Sequence, residues 1–213
     1  NTTSTVNTDN LLLNGAFKYW YSGTSSAPDG WAGLRTLFSR ESSTVKIGDY
    51  SCAIKWNGAV GYTNFSQTYT DQRLQGREVT FSMWVKAGVA SKVKIGLYDD
   101  GTGGANTWSS YNSGTDWELL TVTKTLTSDY STVYIKVQSE DDTNWAYLDG
   151  AMLVEGSIPF AYTEHKQDVV GMEVTSAPST VGADYEKAWY SSGGTRRLYM
   201  CDGSDWKYVA IST

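Results

Sequence analysis

The chain has 213 residues and a formal net charge of −6, long enough to bury a sizeable core as one large domain or as a domain with an appendage. Its acidic balance, with no basic run longer than Arg196-Arg197, argues against a nucleic-acid partner, and no apolar stretch approaches the ~20 residues of a membrane-spanning helix. Twenty-one glycines, three prolines, nine tryptophans and fifteen tyrosines describe an all-β chain with many turns and with more aromatic rings than a core needs.

Residues 1–9 are polar except for Val6 and are expected to form an arm that docks on its own domain or on a neighbouring subunit. The chain starts at Asn1 without a methionine and is expected to be a trimmed piece of something longer. Three leucines, Leu11 to Leu13, then run into Asn14-Gly15, a dipeptide that tolerates positive φ, before Phe17 returns to an apolar layer. This segment is expected to be a first strand that pairs with a last strand, Tyr147–Leu153, closing a sandwich.

Between them the apolar residues alternate. Val79, Phe81, Met83 and Val85 share one face of a strand, as do Val93, Ile95 and Leu97, and Val133, Ile135 and Val137. Glycine- and aspartate-rich connectors separate these strands at residues 99–104 and 140–144. The pattern predicts an all-β fold, a jelly-roll β-sandwich over residues 10–164. A linker over 165–180 and a small C-terminal β meander over 181–213 follow. Cys52 and Cys201 fall in different units, so two free thiols are expected rather than a disulfide.

The fragments Asn10–Phe17, Pro28-Asp29-Gly30-Trp31, Gly48–Ile54, Phe81–Ala87 and Leu148–Leu153, in that order, resemble the jelly-roll carbohydrate-binding modules found beside glycoside hydrolases. The exit segment Glu155–His165 resembles the end of such modules in bacteriophage tail or fibre proteins. Arg197-Leu198-Tyr199 followed by Asp202-Gly203 and Trp206 resembles the short β units of phage fibre and head-decoration proteins. The resemblance implies a structural virion protein of a tailed phage, a fibre or decoration protein located in the virion. Its expected partners are glycans, other virion proteins and copies of itself, with a trimer favoured as the homo-oligomer. The alternative is a carbohydrate-binding module of a secreted, extracellular polysaccharide-degrading enzyme of a bacterium.

The outward side chains suit sugar binding, since a flat ring stacks on the apolar face of a pyranose while polar groups meet its hydroxyls. Alternation turns out Trp84 and Lys86 on one strand, Tyr98 on another, and Tyr134 and Gln138 on a third. These five are the candidate carbohydrate-binding residues. A neighbouring subunit covering the same face is the competing reading. The loop aromatics Trp20, Trp31, Trp56, Trp108 and Trp145 are expected to serve mostly as rim or core packing.

No cofactor is required, although the resemblance implies a structural calcium near the seam between first and last strands, with Asp149 as a ligand. Lys18 stands where the family commonly has an acidic residue, so either Asp149 holds calcium or Lys18 pairs with it directly. Catalysis is not expected. The single histidine, His165, lies in the exit segment, where no Ser or Cys at a defined turn is placed to build a triad with it, and no spacing selects two carboxylates for glycoside hydrolysis.

Overall fold

The computed structural model describes residues 9–166, Asp168, and the strands Met172–Val174, Lys187–Ser192, Thr195–Cys201 and Trp206–Ile211. Two five-stranded sheets form the body. Sheet A runs, in spatial order, β1 (Ala32–Leu34), β4 (Asn64–Tyr69), β9 (Val133–Ser139), β6 (Val93–Asp99) and β7 (Thr107–Trp108). Sheet B runs β2 (Thr36–Glu41), β3 (Ser51–Trp56), β10 (Ala146–Glu155), β5 (Glu78–Ala87) and β8 (Glu118–Thr125). Every pairing in these two sheets is antiparallel.

Alternation explains why these segments become strands of a sandwich. Val79, Phe81, Met83 and Val85 of β5, and Val93, Ile95 and Leu97 of β6, are fully buried. Val133, Ile135 and Val137 of β9 face the same layer. Each strand thus removes one row of branched or aromatic side chains from water, at about 25 cal/mol per Å² of apolar surface. The other row faces outward.

At one end, an aromatic cluster caps the core. Trp31 stacks on Phe65 with ring centroids 4.7 Å apart, and Phe17 and Phe38 pack against the same Phe65 ring at 6.1 and 5.6 Å. Phe65 projects inward from β4, so three loop or edge residues converge on one strand of sheet A.

The segment Asn10–Phe17 is a series of turns rather than the first strand expected from its leucines. It still closes the sandwich against β10. Leu11 N–H donates to Leu153 O at 3.0 Å, and Ala151 N–H donates to Gly15 O at 2.8 Å. The Asn10 side chain donates to Ala151 O and accepts from Leu153 N–H.

The physical reason for the turns lies in Asn14. It takes a left-handed conformation, φ 51°, accepts from Tyr19 N–H and donates to the carbonyls of Tyr19 and Asp29. A side chain that captures nearby backbone groups in this way competes with strand pairing. Gly15 is required for close approach, since a Cβ there would overlap the Ala151 carbonyl. β10 carries a register shift between Asp149 and Met152 beside this seam.

Beyond the sandwich, β11 (Met172–Val174) pairs parallel with β12 (Lys187–Ser192). Antiparallel pairings then join β12 to β13 (Thr195–Cys201) and β13 to β14 (Trp206–Ile211). The meander expected over 181–213 therefore gains a parallel strand from within the stretch expected to be a linker. Cys52 is buried and free. The expected docking of the polar arm, residues 1–8, lies outside the described residues.

Candidate functional site

On the outward face of sheet A, Tyr134 of β9 sits directly opposite Tyr98 of β6, Lys136 opposite Gly96, and Gln138 opposite Lys94. The rings of Tyr98 and Tyr134 lie 5.6 Å apart. Next in the sheet, β7 brings Trp108 opposite Gly96. A Cβ at Gly96 would overlap the Trp108 indole, so only glycine lets the indole lie on the β6 backbone at this point. Tyr111 follows Trp108 on the same side.

Polar and charged groups interleave with these rings. Lys136 Nζ lies 4.7 Å from the Tyr98 ring centre and 5.8 Å from that of Tyr134, and it donates to Asn106 Oδ1 at 3.1 Å. Lys94 Nζ lies 4.9 Å from the Trp108 ring centre and 4.6 Å from that of Tyr111. These are cation–π distances. Partial burial pushes the Lys136 ammonium below its ordinary pKa. Tyr111 OH donates to Glu140 at 2.5 Å, and the Gln138 amide donates to the same carboxylate oxygen at 2.8 Å. A shallow depression of about 60 Å³ opens beside them, lined by Tyr62, Asn64, Asn106, Trp108 and Lys136.

The structure divides the five sequence candidates between two faces. Tyr98 and Tyr134 come together on the outward face of sheet A, whereas Gln138, on the same row, is buried with its amide on Glu140. Trp84 and Lys86 lie on the outward face of sheet B, opposite Asp149 and Tyr147 of β10, and so are corrected out of the sheet A platform. There Lys46 Nζ sits 4.2 Å from the Trp84 ring centre. The exit segment lines a cavity of about 300 Å³ beside Trp84, formed with Leu119, Met152, Phe160 and Tyr162. Trp20 and Trp31 are core residues and Trp145 lies under Lys55, as rim or core packing predicts. Trp108 departs from that expectation. The readable signal for it was Gly96, a glycine inside an alternating strand, which marks a close approach by another group.

Asp149 is fully buried, but it does not pair with Lys18. Its Oδ2 accepts from the backbone N–H groups of Lys46 and Ile47, both at 2.8 Å, and its Oδ1 from Gly150 N–H at 2.8 Å. Burial nevertheless raises its pKa to about 6, the three N–H groups offsetting only part of the desolvation. Lys18 lies instead over the Tyr19 ring, 5.4 Å from its centre. Amide donors on both oxygens suit an isolated carboxylate. They do not fit the expected calcium ligand, because a hard cation needs six to eight oxygens around it. No group of three or more His, Cys, Asp or Glu side chains able to hold a metal occurs among the described residues.

The acidic loops are turn-forming devices. Asp100 accepts from Ser131 and Thr132 N–H, and Asp141 from Thr143 and Asn144 N–H. Buried Asp99 accepts from the Thr127 hydroxyl and lies 3.1 Å from Lys124 Nζ.

A sequence-family profile described as a carbohydrate binding domain matches residues 9–144. The chain belongs to this carbohydrate binding domain family. No curated protein matches it by sequence. Among solved structures, the CBM22-1 xylan-binding domain of Paenibacillus barcinonensis Xyn10C superposes with a TM-score of 0.55 at 15% identity, over 73% of this chain and 100% of that one. TmCBM61, solved in complex with β-1,4-galactotriose, gives 0.51 at 15% identity, over 69% and 99%.

The enzymatically active domain of tailspike protein 4 of bacteriophage CBA120 gives a TM-score of 0.55 at 11% identity, over 69% of this chain and 21% of that one. The chain thus spans about a fifth of that tailspike chain. At these identities the likeness is one of fold. The family match makes the sandwich a carbohydrate binding domain.

Proposed function

We propose that this chain is a non-catalytic carbohydrate-binding module and that its ligand lies across the outward face of sheet A. The observation that carries this reading is the row of rings on neighbouring strands, Tyr134, Tyr98 and Trp108, continued by Tyr111, with Asn106, Gln138 and Glu140 between and beside them. Adjacent strands lie about 4.8 Å apart, so the rings form an extended platform suited to a chain of sugars rather than to one. Stacking supplies contact area, and the amide and carboxylate groups orient the hydroxyls.

Binding of a panel of soluble polysaccharides by affinity electrophoresis tests the assignment. Trp108→Ala and Tyr98→Ala are each expected to weaken binding about tenfold or more, the loss of an aromatic contact in a largely desolvated site. Trp84→Ala, on sheet B, is expected to leave it unchanged. Loss of binding in the Trp84 variant alone would move the site to the other face.

For the parent protein, the proposal is a fibre or decoration component of a tailed-phage virion, assembled as a trimer through the C-terminal β unit. The resemblance of the exit segment and of the Arg197–Trp206 unit to phage fibre proteins supports it. The alternative is attachment to a secreted polysaccharide-degrading enzyme. The mass of the full chain in solution separates the two, a trimer favouring the virion and a monomer the enzyme.

A further inference from the structure

We infer that the face of sheet A selects an acidic polysaccharide, one whose pyranose rings carry carboxylate groups, an inference that rests on this face being the ligand site. The rings of the platform are not bare. Lys136 Nζ lies 4.7 Å from the centre of Tyr98 and Lys94 Nζ 4.9 Å from the centre of Trp108. A neutral sugar stacking there must displace both ammonium groups from the rings and give them no counter-charge. A uronate stacks and pairs at once, because its carboxylate projects from the edge of the same ring that lies on the aromatic face.

The charges around the two lysines point the same way. The ion pairs among the described residues engage Arg73, Arg77, Lys124 and Lys166, so neither Lys94 nor Lys136 is matched to a carboxylate there. Glu140 shares their side of the sheet and keeps its charge, but it takes part in none of these ion pairs, and its Oε1 accepts from Tyr111 and Gln138. Lys136 is partly desolvated, and a ligand carboxylate would restore the stabilisation its ammonium has lost to burial. The chain as a whole carries −6, so general attraction to polyanions does not explain two unmatched cations on one aromatic face.

The test uses the full chain against polygalacturonate and alginate as carboxylated chains, β-1,4-galactan and xylan as neutral ones, and a sulfated galactan. The carboxylated chains are expected to bind about tenfold tighter than the neutral ones, and raising the salt from about 50 mM to about 500 mM is expected to weaken them selectively. Lys136→Gln and Lys94→Gln should each weaken uronate binding about fivefold or more, as loss of a charge-assisted contact does. Lys55→Gln, on the other sheet, should not.

Tighter binding of neutral chains, or lysine variants that bind uronates like the unsubstituted protein, would overturn the acidic specificity. If Trp108→Ala then abolishes the neutral binding, the sheet A site itself still stands. Preference for the sulfated chain would overturn the carboxylate assignment. Binding to none of the five would overturn the site and its specificity together.

Discussion

Asp149 shows how a single side chain sets the response of the fold to pH. Its carboxylate is buried at the bulge of β10, held by three backbone N–H groups, and its pKa is raised from 3.8 to about 6. Asp168, which accepts from Asn14 N–H at 2.7 Å, is raised to about 7, again chiefly by burial. For an acid whose pKa is higher in the folded state, the folded chain holds more protons between the two values. Stability is then greatest below the unfolded pKa and falls as pH rises through the folded one.

Asp71, Asp100, Asp129 and Asp141 are lowered by hydrogen bonds and act in the opposite sense. Their contribution is complete by about pH 4–5, because it is lost only as pH falls through their own depressed values. Urea midpoints are therefore expected to fall between about pH 4.5 and about pH 7.5, with Asp149 alone accounting for on the order of 2–3 kcal/mol. Asp149→Asn should flatten this slope while lowering stability throughout, because its amide would turn N–H donors toward backbone donors. A midpoint that stays level or rises over the same range would show that Asp149 and Asp168 are not held protonated by burial.

At the scale of strands, the site depends on β6 and β7 meeting without a side chain between them. Gly96→Val should keep the inward residues Ile95 and Leu97 in place, yet force the Trp108 indole off the sheet. The expected result is a folded protein with sandwich-like circular dichroism, altered tryptophan fluorescence and glycan binding at least about tenfold weaker, as for loss of a central aromatic contact. Unchanged binding would mean that Trp108 is not part of the platform.

The inward and outward rows of β5, β6 and β9 were readable because period-two alternation is local. Which sheet each strand joins is decided by long-range pairing, such as β5 with both β10 and β8, and alternation carries no trace of it. That is why Trp84 and Tyr98, equally outward on their own strands, end on opposite sides of the molecule. β7 was hidden because a two-residue strand has no period to detect. Asn10–Phe17 misled because its leucines suggest a strand while Asn14 binds the chain into turns.

On the scale of the whole molecule, the two sheets are joined by a core and capped by the cluster around Phe65. That ring contacts Trp31, Phe17 and Phe38, which belong respectively to the loop before β1, the seam segment and β2. Phe65 therefore links sheet A, an edge strand of sheet B and the segment that closes β10. Phe65→Ala removes a fully buried ring and leaves three aromatic neighbours facing a void, a change expected to cost about 3–5 kcal/mol. Domains of this kind are stable by only about 5–15 kcal/mol, so the urea midpoint should fall steeply. Because the cap and the sheets share this one ring, near-ultraviolet circular dichroism and far-ultraviolet circular dichroism should lose signal together across the sandwich transition. An early loss of the aromatic signal alone would show that the cap and seam detach while the sheets persist. In that case the sheets would hold the ligand face without help from the seam.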